Sequence, residues 1–239
     1  MALGCDTISL RLAAVRRVAY EAADSGLLSP ELAAGIRRVK GVRRIGLRLG
    51  NWLTADQGKT LLATAHNPDL RSKRNYAILA VLLGCALRRG EVLALTAATI
   101  QVREEHWVIA DLYGKAGHIR TVPIPSWVKA AIDGWAEASG IGEGRIFRSI
   151  NKAGKIWGNG MTPKVLWEIV RQAAKAAGIE KLAPHDLRRT CDRLCHLAGG
   201  ELDQIQFLLG RVSIQTTEHY LGCKQKLRFA VNDKIGLEP

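Results

Sequence analysis

Apolar residues at the start of the chain recur at helical spacing. Residues 7–25 carry an apolar stripe with arginines beside it, which predicts an amphipathic helix. Ser29 followed by Pro30 is typical of an N-cap and first helical position, so a second helix is predicted through Ile36. Two helices in about fifty residues bury little apolar surface. We therefore expect this segment to lean on another part of the protein, or to be the remnant of a larger helical domain.

The longer second part of the chain also has a mainly helical pattern. The sequence Thr54-Ala-Asp-Gln57 fits a capping box that starts a new helix. We therefore place a domain boundary near residue 50, giving domains at 1–49 and 50–239. Further helices are predicted over residues 76–86, from Ser126 past Trp135, over 162–177, over 188–198 and over 202–210.

One region of the chain has a strand pattern instead. The runs 100–102, 107–112 and 119–124 are rich in β-branched and aromatic residues and are separated by charged or glycine-containing turns. They predict a three-stranded antiparallel sheet with Lys115 in or beside its second turn. Residues 139–161 read as an irregular, glycine-rich segment whose apolar residues Ile146, Phe147 and Trp157 should dock on another part of the protein. The predicted fold class is mainly α with this one small sheet.

The net charge of the chain indicates the kind of partner that it binds. The chain has 35 Lys and Arg against 22 Asp and Glu, a formal net charge of +13. Such a basic surface favours binding to a polyanion, and nucleic acid above all, although composition alone does not separate DNA from RNA or an acidic protein. Six of these cations form a run without acids that is interpreted equally well as a phosphate-binding linker or a solvated hinge. They are Arg37, Arg38, Lys40, Arg43, Arg44 and Arg48.

Cysteine usage and hydropathy indicate the cell compartment. The chain has no apolar run of 18 residues and no signal-peptide pattern, so we expect no membrane association and a cytoplasmic protein. Five cysteines, an odd number, suit reduced thiols better than a disulfide framework. Cys191, Cys195 and His196 could suggest a zinc site, but no second cysteine pair completes it. Buried helix thiols are the favoured interpretation, and no metal is expected.

The candidate site residues each have an ordinary structural explanation. Arg88 and Glu91 could form a helix ion pair, Lys115 could be a turn residue, and His185 with Arg188 could cap a helix. However, the charged quartet 88–91 interrupts a strongly apolar run. That is costly unless these groups are paired or face a functional site.

Taken together, these residues follow one another in a specific order. The order is Leu87-Arg88-x-x-Glu91-Val92, Gly114-Lys115, His185-x-x-Arg188, Leu209-Gly210-Arg211, Ser213-Ile214-Gln215-Thr216-Thr217 and Tyr220-Leu221. This order resembles the tyrosine recombinase (phage integrase) family. The resemblance spans residues 51–222, the whole catalytic domain, and residues 1–49 look like the later part of the family's N-terminal core-binding domain. Four linked motifs are far more specific than any one of them.

The resemblance implies a role for each of these residues. Tyr220 would attack a DNA phosphodiester and form a 3′-phosphotyrosyl link. Arg88, Arg188 and Arg211 would contact the phosphate, Lys115 would protonate the leaving 5′-oxygen, and His185 would assist proton transfer. Glu91 would orient the other groups. This chemistry suits the residue types, because guanidinium forks stabilise phosphoryl charge and tyrosine, with an ordinary pKa near 10, needs a cationic site to attack at neutral pH.

The resemblance also implies partners and a cofactor requirement. The expected partner is double-stranded DNA, cut and rejoined by four protomers without metal or ATP, in a protein encoded by a bacterium or phage. The tail after residue 222 would pack either on a neighbouring protomer or on its own chain. Two departures are visible: Arg211 stands where the family most often has His or Trp, and the N-terminal domain is short. They leave open a non-catalytic DNA-binding protein, and a type IB topoisomerase is a closer enzymatic alternative.

Overall fold

The N-terminal part of the chain forms a helical pair. The computed structural model describes residues 4–42, 51–114, 117, 119–210 and 230–237, and the chain divides into two compact units, 1–49 and 50–239. In the first unit, helices α1 (Cys5–Asp24) and α2 (Pro30–Arg38) pack against each other. The Ser29 hydroxyl accepts a hydrogen bond from the Leu32 amide at 3.3 Å, so the predicted N-cap and both helices are confirmed.

Helix α2 runs further than the sequence predicted. It ends at Arg38 rather than at Ile36, so the first two cations of the predicted linker are helical. Cations in a last turn interact favourably with the helix dipole, which explains the extension. Arg37 also donates a hydrogen bond to the Tyr20 hydroxyl at 2.9 Å. Lys40 is exposed, whereas Arg43, Arg44 and Arg48 lie outside the described residues.

The second unit is built around a helix whose second half is fully buried. Every residue from 77 to 84 is buried in α4, which packs against α6 and α8. The capping box before α3 is confirmed, with the Gln57 amide 3.2 Å from the Thr54 hydroxyl and the reciprocal bond at 3.0 Å. The helices of this unit are α3 (Ala55–Ala63), α4 (Leu70–Gly84), α5 (Arg89–Ala94), α6 (Ser126–Ser139), α7 (Pro163–Ala176), α8 (Pro184–Leu197) and α9 (Leu202–Leu209). Within the described ranges, no helix has the length and apolar character needed to cross a membrane.

The predicted three-stranded sheet is confirmed. Strands β1 (Ile100–Arg103), β2 (His106–Tyr113) and β3 (Ile119–Pro123) pair antiparallel in that order. Glu104 and Glu105 have φ values of 50° and 63°, the positive pair that a two-residue hairpin turn matched to the strand twist requires. The β2–β3 connection carries the Gly114-Lys115 motif, and Lys115 itself lies outside the described residues.

The segment 139–161 differs from the prediction in two respects. It contains a short hairpin, β4 (Ser149–Ile150) with β5 (Ile156–Trp157), whose two-residue strands are too short to show an alternating pattern. The expectation that the apolar residues dock is confirmed for Ile146 and Phe147, which are 4% and 0% exposed, and is wrong for Trp157, whose side chain is 70% exposed. Ile150 and Ile156 form the neighbouring pair and pack on the core instead. Alternation along such a short strand turns the next pair outward.

The described residues at the C-terminal end, 230–237, pack on the second unit of the same chain. Ile235 and Leu237 are 3% and 1% exposed and belong to its apolar core. Leu237 lies so close to Gly58 of α3 that a Cβ there would be 2.6 Å from its side chain. This end of the tail therefore contributes to the core of its own chain.

Candidate active site

A buried carboxylate, Glu91, lies at the centre of the site. It is in the first turn of α5 and is 7% exposed. One of its oxygens accepts from the Arg88 amide at 2.7 Å, which caps the helix, and the other accepts from the Arg88 guanidinium at 2.8 Å. The Arg88 side chain is 37% exposed, so it can reach a ligand while Glu91 holds it.

A second arginine that the sequence analysis missed also binds Glu91. Arg120 of β3 donates to both carboxylate oxygens at 2.9 and 2.8 Å, and its side chain is only 9% exposed. This fork-to-fork geometry is the strongest arrangement for such a pair. Arg120 therefore fixes Glu91, which in turn fixes Arg88. In the sequence, the only available sign was a charged residue inside an apolar strand.

Electrostatics keep Glu91 ionised. Its burial raises the pKa of the carboxyl group, but the hydrogen bonds and charge of Arg120, together with the hydrogen bonds of Arg88, outweigh burial. The net effect is a lowered pKa. Glu91 therefore carries a negative charge at neutral pH and holds both guanidinium groups as ion pairs.

Arg188 approaches the same place from α8. It is 6% exposed, and it donates to the backbone carbonyls of Ala86 and Leu209 through its two terminal nitrogens. Burial first, and then the charges of Arg88 and Arg120, lower the pKa of Arg188 to about 10, so it remains protonated at neutral pH. Ala86 has a φ of 50°, an uncommon conformation for a residue with a side chain. The neighbourhood of Arg188 holds that strained turn in place.

Hydrogen bonds hold the first two turns of α8 in place. The Thr190 hydroxyl is fully buried, donates to the Asp186 carbonyl at 2.8 Å and accepts from the Leu53 amide at 3.0 Å. The Asp186 carboxylate accepts from the Ala183 amide at 3.0 Å, which caps the helix start. These bonds fix the helix that carries Arg188.

His185 lies on the first turn of α8, which begins at Pro184, earlier than the sequence predicted. Proline at the first helical position explains the earlier start, since it needs no amide partner there. The His185 side chain is exposed at the helix start. Partial burial, followed by the charges of Arg189 and Arg188, lowers its pKa below the ordinary value of 6.5. His185 is therefore mostly neutral at pH 7 and can accept a proton.

The Arg189→Ala variant tests this electrostatic account of His185. Removing a cation that disfavours the imidazolium is expected to raise the pKa of His185 toward its ordinary value. An NMR titration of the His185 ring protons measures the change. Arg193→Ala, on the same helix but stacked 4.5 Å over the Trp52 ring, is the control and should leave the pKa unchanged. An unaltered His185 titration in Arg189→Ala would contradict the account.

The backbone after α9 also reaches this cluster. Gly210 has a φ of 57°, and a Cβ there would lie 2.6 Å from Cδ of Arg120, so glycine suits both the conformation and the contact. The preceding residue, Leu209, supplies the carbonyl that Arg188 binds. The structure thus brings Arg88, Glu91, Arg188 and the added Arg120 together. His185 lies close enough for the charges of Arg188 and Arg88 to lower its pKa.

The remaining predicted site residues lie outside the described residues or in the first unit. Lys115, Arg211 and Tyr220 lie outside the described residues, and Arg37, Arg38 and Lys40 belong to the first unit. Cys191 and Cys195 are fully buried with their sulfur atoms 4.0 Å apart, whereas His196 is exposed. Among the residues that the structure describes, no group of three or more His, Cys, Asp or Glu is arranged to hold a metal ion.

The cluster is suited to binding a phosphate. Three guanidinium groups meet one carboxylate, so positive charge is in excess. Arg120 is committed to Glu91, while Arg88 and Arg188 keep N–H groups beyond those used in the bonds described above. Two fixed forks of this kind can hold the non-bridging oxygens of a phosphodiester and stabilise the charge that develops there.

The match to a known family agrees with this chemistry. Residues 51–226, well over half of the chain, match the model of the phage integrase family. The chain belongs to the phage integrase family. The match includes every residue of the cluster and also Lys115, Arg211 and Tyr220.

The similar sequences include tyrosine recombinases from two bacteria. Tyrosine recombinase XerC of Corynebacterium efficiens is 27% identical over 217 residues, which cover 90% of this chain and 66% of that protein. XerC of Pseudomonas fluorescens is 26% identical over 212 residues, covering 87% and 67%. The chain thus spans about two thirds of the length of these relatives.

Solved structures show that the fold is the family's. The crystal structure of XerA recombinase has a TM-score of 0.56 at 22% identity and covers 88% of this chain and 77% of that one. The Tn1549 transposon integrase in complex with circular intermediate DNA has a TM-score of 0.62 at 16% identity, covering 92% and 75%. The fold class predicted for this chain, mainly α with a small antiparallel sheet, is therefore confirmed.

Proposed function

We propose that this phage integrase family member is a site-specific DNA recombinase that cuts and rejoins duplex DNA through a phosphotyrosyl intermediate. The observation that carries the proposal is the Arg88–Glu91–Arg120–Arg188 cluster, where side chains from α5, β3 and α8 converge around one carboxylate. Its excess positive charge and its accessible Arg88 fit a phosphodiester. In the matched segment, Tyr220 follows this cluster along the chain.

In this proposal each residue contributes one part of the transesterification. The Tyr220 oxygen bonds to the phosphorus as its proton passes to His185. The bond to the 5′-oxygen breaks, and Lys115 protonates that oxygen so that it leaves as a 5′-hydroxyl. Arg88 and Arg188 bind the non-bridging oxygens, with Arg211 as a further phosphate contact. His185, neutral at pH 7, assists proton transfer, and Glu91 positions Arg88. The phosphotyrosyl link conserves the energy of the broken bond, so rejoining needs no ATP.

DNA and other copies of the chain are the proposed partners. Structures of similar fold include XerH bound to its difH substrate and a lambda integrase tetramer bound to a Holliday junction. We infer that this chain likewise binds duplex DNA and self-associates on it, with the first unit and the run 37–48 supplying phosphate contacts. Within the tail, residues 222–229 are the proposed contact with a neighbouring protomer, since residues 230–237 pack on their own chain. Because the relatives are bacterial, a bacterial cytoplasm is the proposed location.

A nicked suicide duplex tests the reaction. The DNA carries a recombination site with a nick beside the scissile phosphate, so that the leaving fragment diffuses away and the covalent complex accumulates. We expect a protein–DNA adduct that survives denaturing gels, and peptide mapping should place the DNA on Tyr220. The Tyr220→Phe variant, which keeps the ring but lacks the hydroxyl, should bind DNA and form no adduct.

The other outcomes separate the alternatives. An adduct that persists in Tyr220→Phe would overturn the assignment of the nucleophile. Sequence-specific binding with no adduct under any condition would support a non-catalytic DNA-binding protein. Relaxation of a supercoiled plasmid that has no recombination site would point to a type IB topoisomerase.

A further inference from the structure

A fully buried asparagine near the C-terminal end, Asn232, connects two elements of the site. Its exposure is 0%, and its Nδ2 donates to the carbonyl of Gly84 and to the carbonyl of Pro123, each at 2.8 Å. Gly84 is the last residue of α4, and Pro123 is the last residue of β3. The two bonds use both amide hydrogens, so the side chain spans the gap between these elements.

Both carbonyls belong to short segments that lead to active-site residues. From Gly84 the chain runs through Ala86, whose carbonyl holds Arg188, to Arg88. Pro123 lies three residues after Arg120 on the same strand. Glu91 joins the side chains of Arg88 and Arg120, and Asn232 joins the backbones that carry them. The cluster is thus fixed at two separate places.

Asn232 keeps this arrangement at an energetic cost. Its Oδ1 is buried and, within the described part of the chain, has no hydrogen-bond partner. A buried polar atom without a partner is unfavourable, so a residue chosen only to fill this space would be apolar. The carbonyl of Gly84 is at the end of α4, where it has no intrahelical donor, and the asparagine supplies one. The weak Cys191 thiol donor, at 3.7 Å, is the other contact it receives.

From these contacts we infer that Asn232 is a positioning residue for the phosphate site. It acts indirectly, because it fixes the backbone of residues 84–88 relative to β3 and does not contact the DNA. The consequence for cleavage rests on the proposed recombinase function. The structural consequence does not, because it concerns only the order of the backbone around Arg88 and Arg120.

Hydrogen exchange of the full chain tests the structural consequence. In Asn232→Ala, amides of residues 84–92 and 119–123 are expected to exchange roughly tenfold faster or more, because two buried carbonyls lose their donor. Amides of α7 should keep the wild-type rate. The matched control is Leu237→Ala, an equally buried tail residue that contacts Gly58 of α3. It should speed exchange in residues 55–63 and leave residues 84–92 unchanged.

Cleavage of the nicked duplex provides the second measurement. With saturating protein, Asn232→Ala should slow single-turnover adduct formation by roughly 10- to 100-fold, since small displacements of catalytic groups have effects of this size. The Kd of Asn232→Ala for DNA should stay within about threefold of the wild-type value. The rate of adduct formation by Leu237→Ala should also stay within about threefold of wild type. If Asn232→Ala does not fold, Asn232→Ser keeps one donor and should show the same exchange pattern more weakly.

The outcomes are separable. Unchanged exchange at residues 84–92 in the asparagine variants, or the same pattern in Leu237→Ala, would overturn the positioning role. If the wild-type protein forms no adduct at all, the recombinase function has failed, and the exchange result still decides the role of Asn232.

Discussion

Replacing Glu91 with alanine is expected to lower the free energy of unfolding by about 3–5 kcal/mol, the usual cost of removing one partner from a buried ion pair. Glu91 holds Arg120, whose side chain is 9% exposed, and it also holds the Arg88 amide and guanidinium. Without the carboxylate, Arg120 becomes a buried cation with no counter-charge. Denaturant titration measures the loss.

The same variant should lose adduct-forming activity even where it is folded. Arg88 is positioned by Glu91 alone among its described contacts, so its guanidinium would no longer be fixed. The control is Glu168→Ala, which breaks the exposed pair with Arg171 at 2.7 Å and should change neither stability nor activity measurably. A Glu91→Ala protein as stable and active as Glu168→Ala would contradict this account of the cluster.

Acid titration follows from the lowered pKa of Glu91. A carboxyl group whose pKa is lower in the folded state stabilises the protein above its unfolded pKa, near the ordinary value of 4.5. That contribution is lost as the pH falls through the folded-state pKa. The wild-type protein should therefore lose more stability than Glu91→Ala between pH 5 and more acidic conditions. Parallel unfolding curves at each pH compare the two.

The features predicted from the sequence depend on local patterns. Capping residues such as Thr54 and Ser29, the β-rich runs of the sheet and the apolar run of α4 all act within a few positions along the chain. The charged quartet 88–91 also carried local information, because charges in an apolar run must be paired or functional. The structure shows that Glu91 is paired and that Arg88 is both paired and accessible.

The features that were missed depend on contacts between distant residues. Arg120 is 29 residues from Glu91, and Asn232 is 148 residues from Gly84. Such pairs follow from strand register and from the path of the tail, and neither is visible in a single sequence. Trp157 illustrates the opposite error. An aromatic residue was expected to be buried, but the hairpin pairs it with Ser149 on the outward face.

The second large effect is expected at Arg188, where lysine would keep the charge but lose the planar fork. A lysine ammonium cannot reproduce the two separate terminal nitrogens that bind Ala86 and Leu209 while keeping further N–H groups for a phosphate. We expect Arg188→Lys to slow adduct formation by roughly 10²–10³-fold, the usual cost of removing one transition-state donor. Single-turnover cleavage of the nicked duplex at saturating protein measures the rate.

Arg189→Lys is the matched control for this prediction. Arg189 is the next residue on α8, is exposed, and contacts Asp186 at 3.4 Å, so its replacement should leave the rate nearly unchanged. A rate for Arg188→Lys close to that of Arg189→Lys would mean that the Arg188 fork serves only to bind the two carbonyls. The two carbonyl bonds affect the folded protein whether or not DNA is bound, so losing them alone should lower the unfolding midpoint. A large rate loss with an unfolding midpoint near the wild-type value would therefore show that Arg188 stabilises the phosphate.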